Sequence, residues 1–211
     1  MGQKVNPIGF RMGGVYTWSS RWFAPKGEFA NNLLEDNKIR KFLMQQLKPA
    51  GISKVEIERF FDKRTITIHV SRPGVAIGRG GTGVEQLKGL LVKNLKIKDA
   101  AKLEIKFEEI KTPDLDAYLV AVSISDQLAR RMPFRRVMHQ TLERIKRSGA
   151  KGARIALAGR LGGTEIARRE TVKDGAIPLQ TIRAQIDFAK LDSKAPKSGI
   201  IGIKVWIYKG E

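Results

Sequence analysis

The chain contains no cysteine, only two histidines, and about half as many acidic as basic residues. Without thiols it can form no disulfide, no thiolate metal site and no cysteine nucleophile, and a cytosol-like compartment is expected. No stretch is long and apolar enough to span a bilayer, and the first residues lack the apolar centre of a secretory signal. No membrane partner is therefore expected. The motifs G-x-S-x-G, H-E-x-x-H and the Walker lysine loop are all missing. His69 and His139 have no metal-ligand spacing between them. The expectation is a protein that is not an enzyme, with no catalytic residue, metal, cofactor or small-molecule substrate.

What is abundant is positive charge. Lys and Arg number 40 against 21 Asp and Glu in 211 residues, giving a net charge of +19. Such an excess calls for a polyanionic partner, with nucleic acid ahead of an anionic membrane. It is spread along the chain, at +5 over residues 1–50, +5 over 51–111 and +9 over 112–211. No neutral catalytic domain hides behind a basic tail. Hydrophobic residues make up 42%, enough for a real core.

Residues 1–38 read as an arm and the start of a lead-in helix. Its aromatics, among them Trp18 and Trp22, either stack on bases or pack on their own domain. From Asn37, Ile39, Phe42, Leu43 and Leu47 recur at helical spacing, and Pro49 and Gly51 stop them. Two alternating strands follow, with Val55, Ile57 and Phe60 or Phe61 on one, Ile66, Ile68 and Val70 on the other, and a turn at Asp62-Lys63-Arg64. After a glycine loop, Val84, Leu87, Leu90, Leu91 and Leu95 form a helical stripe, and Leu103–Phe107 alternates again. Residues 39–108 thus predict one small α+β domain.

Thr112-Pro113-Asp114 predicts a helix start, with Thr112 as N-cap and Asp114 and Asp116 at the positive end of the dipole. A second helix runs from Phe134 to Ser148, stopped by Gly149. The period then changes to two, with a turn at Arg160–Gly163, so residues 109–211 predict a second α+β domain.

Two constellations carry chemistry. Gly78-Arg79-Gly80-Gly81, preceded by Ile77, is a G-x-x-G loop whose backbone can press against a sugar-phosphate chain while Arg79 supplies charge. It marks the clamp of a KH fold. The same residues, extended to Gly83, match the dinucleotide fingerprint G-x-G-x-x-G, so a dinucleotide-dependent enzyme is a rival reading. Strands that alternate instead of running continuously apolar argue against it.

The helix 134–148 places Phe134, Val137, Met138, Thr141, Leu142 and Ile145 on one side. Arg135, Arg136, His139, Lys146 and Arg147 fall on the other with Glu143 as the one opposing charge, and Arg130 and Arg131 precede them. So uniform a sign predicts phosphate binding. Arg11, Arg154, Arg160, Arg168 and Arg169 are further RNA-contact candidates. Which face each of the last four occupies stays open.

Met1-Gly2-Gln3-Lys4-Val5-Asn6-Pro7-Ile8-Gly9-Phe10-Arg11, Ile77–Gly81, Arg130–Arg136, Gly159–Gly163 and Gly202–Ile207 together resemble a family. It is that of the universal third protein of the small ribosomal subunit, in its bacterial form. The resemblance implies a type II KH domain followed by a second α+β domain, two helices on a mostly antiparallel sheet. It implies binding to ribosomal RNA in the subunit head, beside small-subunit proteins ten and fourteen. It also implies a place lining the mRNA entry channel, where basic residues help unwind message without hydrolysing nucleotide. Residue by residue, that role falls on Arg135, Arg136 and His139. His139 stands where many bacterial relatives have lysine, and Gly80 where many have a basic residue. The implied location is a cytoplasmic ribosome or that of a bacterial-type organelle. A free KH-domain RNA-binding regulator is the other alternative.

Overall fold

A computed structural model describes residues 4–60, 63–95, 103–196 and 199–210. Met1–Gln3 of the N-terminal motif, Phe61 and Asp62 of the expected turn, and the side chains of Arg79 and Leu95 lie outside the described residues. In chain order the first elements are α1 (Pro7–Phe10), β1 (Ser20–Arg21), α2 (Lys26–Gln46), β2 (Ile52–Phe60), β3 (Lys63–Val70), α3 (Pro73–Ile77), α4 (Thr82–Leu95) and β4 (Leu103–Glu109). There follow α5 (Ala117–Ala129), α6 (Phe134–Arg147), β5 (Gly152–Gly159), β6 (Arg168–Gly175), β7 (Gln185–Ala195) and β8 (Gly199–Gly210). The chain forms two units: Trp18–Lys111 is one, and the residues up to Thr17 join those from Thr112 onward in the other.

In the unit Trp18–Lys111, β1 to β4 make one mixed sheet in sequence order. β2 and β3 are antiparallel, while β1 pairs with β2 and β4 with β3 in parallel. The parallel crossover from β3 to β4 carries α3 and α4. One sheet face buries Val55, Ile57, Ile66, Ile68 and Val70 against Ile39 and Leu43 of α2 and Leu87 and Leu91 of α4. Each such aliphatic side chain contributes about 1.5–3 kcal/mol on full burial. The other face carries charge, with His69 Nδ1 3.3 Å from Glu108 Oε2 and Nε2 3.7 Å from Glu56 Oε1.

α2 starts eleven residues before the expected Asn37. Its first half exposes Phe29, Leu33 and Leu34, so no apolar stripe announces it. The fully buried Asp36 anchors that half, accepting hydrogen bonds from Ser20 Oγ (2.9 Å), Trp22 Nε1 (2.7 Å) and Arg59 Nε (3.1 Å). Trp22 turns inward through its bond to Asp36, with the exposed Phe29 ring 5.2 Å from its own, while Trp18 is 67% exposed.

In the other unit, β6-β5-β8-β7 form an antiparallel sheet with α5 and α6 on one face. Ile155, Leu157, Ile203, Val205 and Ile207 meet Val120, Ile124, Val137, Met138 and Ile145 there. The helix expected to begin at Thr112 first makes a 3-10 turn over Pro113–Leu115. Asp116 is the side-chain cap of α5, accepting from the amides of Tyr118 and Leu119, and Asp187 of β7 accepts from that of Ala117 at 3.0 Å. Asp114 instead pairs with Arg144 at 2.9 Å.

The N-terminal residues close this unit. Asn6 caps α1, and Arg11 is 1% exposed. Its guanidinium donates to the carbonyls of Ala184 (2.7 Å), Thr181 (2.8 Å), Pro7 (2.9 Å), Pro178 (3.1 Å) and Leu179 (3.2 Å). This corrects the expectation that Arg11 meets RNA: five carbonyls take up its donors, and no face is left for a phosphate.

Candidate nucleic-acid interface

α6 buries the side its spacing predicts: Val137, Met138, Thr141, Leu142 and Ile145 are at most 8% exposed. Arg135, Arg136, His139, Lys146 and Arg147 all point outward and are exposed. Along that outer side the helix changes character. Toward the C-terminus the cations are paired, Lys146 Nζ with Asp174 Oδ2 at 2.8 Å and Arg147 with Glu143 at 3.7 Å. The Lys146–Asp174 hydrogen bond raises the lysine pKa and lowers that of the aspartate.

The N-terminal turn lacks such compensation. Pro133 offers no side-chain cap and no acidic residue sits in the first turn. Arg135 and Arg136 therefore add positive charge where the helix dipole and the unpaired amides are already positive. The nearest acid is Glu170, 3.8 Å from Arg135 Nη2 and 3.9 Å from Arg168 Nε. At that length and exposure such pairs contribute little. Among the described residues neither Arg136 nor His139 has a hydrogen-bond or ion-pair partner.

Just upstream, α5 ends in a Schellman motif. The Arg131 amide donates to Leu128 O at 2.9 Å and that of Met132 to Gln127 O at 3.2 Å. Arg131 occupies the left-handed position with φ 61°, where glycine is the usual residue, and is the one non-glycine with positive φ among the described residues. Arg130 and Arg131 are both exposed.

The later arginines separate. Arg168 lies with its guanidinium 5.5 Å from the Phe134 ring, beside α6. Arg154 and Arg169 lie on the opposite face of the sheet, directly paired across β5 and β6 with Lys173 and Ala158. Arg160 donates to Thr164 O at 2.9 Å within its own turn.

The glycine loop belongs to the unit Trp18–Lys111. Ile77 ends α3, and Gly78, Gly80 and Gly81 adopt φ of 71°, 64° and 81°. Within this loop the glycine that allows the closest approach is Gly83, which the sequence places only in the dinucleotide match: a Cβ there would stand 2.7 Å from Ala76 O and 2.8 Å from Ile77 O. This loop joins two helices. A dinucleotide fingerprint instead links a strand to a helix, so that rival loses its structural context. Among the described residues no three His, Asp or Glu side chains could hold a metal ion, and no helix is long and apolar enough to cross a membrane.

The order helix, strand, strand, helix, helix, strand, with a glycine loop between adjacent helices, defines a type II KH protein carrying a second α+β unit. In agreement, a KH domain model matches residues 38–115, and the model described as ribosomal protein S3, C-terminal domain matches residues 124–207. The chain is 49% identical over 213 residues to small ribosomal subunit protein uS3 of Clostridium novyi (strain NT), covering all of this chain and 94% of the relative. It is 50% identical over 211 residues to that of Desulforudis audaxviator (strain MP104C), covering 100% and 94%. The match to that of Finegoldia magna (strain ATCC 29328 / DSM 20472 / WAL 2508) is 51% over 213 residues, covering 100% and 84%. The chain belongs to the uS3 family of ribosomal proteins.

Proposed function

We propose that the chain is a structural component of the small ribosomal subunit, bound to ribosomal RNA in the subunit head, where its basic helix lines the mRNA entry channel. Proteins ten and fourteen of the subunit are its neighbours, and the cytoplasmic ribosome is its place of work. The observation that carries the message contact is the first turn of α6. Two exposed arginines, uncapped amides and the positive dipole end converge there with no acid in the turn. A phosphate at that end meets amide donors and two forked cations together.

The mechanism is passive. Arg135 and Arg136 hold phosphates of the incoming strand, His139 adds a donor one turn further along, and Arg130 and Arg131 extend the edge toward α5. Translocation then pulls a duplex against a fixed basic rim that one strand can pass. No bond to nucleotide is broken and no cofactor is consumed. The loop Ile77–Gly81 presents backbone amides to a second stretch of RNA, in the manner of KH clamps. Arg160 and Arg168 supply further ribosomal RNA contacts.

Sedimentation of a tagged chain in lysate tests ribosomal membership against the free-regulator alternative. The tag should run with small subunits and complete ribosomes. A chain found wholly at the top of the gradient would contradict the assignment.

A further inference from the structure

The sheet of the C-terminal unit has a second charged surface, on the face turned away from α5 and α6. Strand alternation sorts β6 by sign. Glu170 and Asp174 lie toward α6, within 3.8 Å of Arg135 and 2.8 Å of Lys146 respectively, while Arg169 and Lys173 project from the opposite face. The register then aligns other cations with them. Lys173 stands directly across from Arg154, and Lys190 directly across from Lys204. Lys194 continues the row along β7.

Among the described residues none of these six has an ion-pair partner, and Asp192 is the one acid projecting from the same stretch of face. Like charges directly opposite each other in adjacent strands destabilise a sheet. Neighbouring strands are about 5 Å apart and same-face residues about 7 Å apart along a strand, inside the Debye length at physiological salt. The repulsion is therefore felt, and a polyanion laid across the face would relieve it. A second observation agrees: Arg154 Nε is buried with no hydrogen-bond partner, its guanidinium held 5.0 Å from the centre of the Trp206 ring.

The face also says which form of polyanion fits. Single-stranded RNA is gripped by aromatic side chains that stack on bases. Here Trp206 is only 8% exposed, and Phe188, 5.2 Å from it, and Tyr208 are half-buried with Ile177 and Leu179 in one apolar cluster, while the next paired residues along the face are Ala158 and Gly202. Cations over a floor whose aromatic rings are tied into the sheet's own apolar cluster suit phosphates held on a regular double helix, read by shape.

We propose that this face is a second RNA-binding surface, taking the sugar-phosphate backbone of double-helical ribosomal RNA. It lies on the side of the sheet opposite α6. The inference rests on the reading of the chain as an RNA-bound ribosomal component, but not on the message-binding role of α6.

The test uses the full chain, a 16-base-pair RNA duplex and a single-stranded RNA of the same length. Lys173→Gln, Lys190→Gln and Lys204→Gln are combined in one variant, and Arg135→Gln and Arg136→Gln in another. The triple variant should melt at or above the wild-type temperature, since it loses only repulsion. It should bind the duplex at least about tenfold more weakly near physiological salt, with its log–log salt slope reduced by about 2–3. Its single-strand affinity should fall much less, whereas the α6 variant should show the reverse pattern. Wild-type duplex affinity and slope in the triple variant would overturn this inference alone. A wild-type chain with no salt-dependent binding to either RNA would overturn it together with the RNA-bound reading.

Discussion

Arg135 of α6 and Arg168 of β6 share one aromatic ring, their guanidinium carbons lying 5.8 and 5.5 Å from the centre of Phe134. They share an acid as well, since Glu170 is within 4 Å of both. Phe134 is thus a platform that holds two cations from different elements at the N-terminal end of α6, next to Arg136. Glu170 tempers the charge of that edge without neutralising it. Glu170→Gln should therefore raise affinity for single-stranded RNA by about two- to fivefold at low salt, with the gain fading as salt is added. Filter binding across a salt series measures it; weaker binding would mean that Glu170 orients the arginines instead.

The left-handed Arg131 makes a separate prediction. A Cβ in that conformation costs about 1–2 kcal/mol. Arg131→Gly should therefore stabilise the fold by about 1 kcal/mol while weakening RNA binding. Arg131→Ala keeps the strained Cβ and should lose RNA affinity with little change in stability. Urea unfolding of the two variants separates backbone strain from charge.

In the KH loop, Gly83 and Gly80 should respond differently. Gly83→Ala drives a methyl group into the carbonyls of Ala76 and Ile77 and should destabilise by about 1–3 kcal/mol. At Gly80 a Cβ meets nothing within 4 Å, so Gly80→Ala should cost only the left-handed penalty, about 1 kcal/mol. Equal losses at the two positions would contradict the packing described for α3 and α4.

Much of this could be read from the chain. The apolar spacing of α6 fixes both of its faces, because an amphipathic helix on a sheet has one way to lie. Alternation likewise locates β2, β3 and β5. What could not be read depends on partners distant in sequence. Arg11 looks like any arm arginine until the carbonyls of residues 178–184 close around it. Arg168 and Arg169 are adjacent in sequence and face opposite ways, which only the pairing of β6 with β5 decides. The cap of α5 falls on Asp116 and not Thr112, because a 3-10 turn intervenes that Pro113 permits but does not announce.

A pH dependence follows from Asp187. Burial raises its pKa above the ordinary 3.8; Asp116 adds to the rise, while the Ala117 and Phe188 amides and Lys209 oppose it. Between the ordinary and the raised value the folded chain holds a proton that the unfolded chain has released. Stability from this group therefore falls as pH climbs through that window. Asp187→Asn keeps an acceptor for the Ala117 amide and should gain on the wild type over the same interval. The Tyr16 phenol, pushed up to about 12 by burial and then by Asp187, should titrate lower in the variant. Parallel stability curves for the two chains would contradict this account.

In the function proposed, the first turn of α6 is the edge against which message structure is opened. The direct measurement is the translation rate of ribosomes carrying Arg135→Ala and Arg136→Ala, on a message with a stable hairpin and on the same message without it. Both side chains are exposed, so subunits should assemble normally and translate the unstructured message at the wild-type rate. Passage through the hairpin should slow severalfold. Equal speed with wild type on both messages would contradict this role for α6.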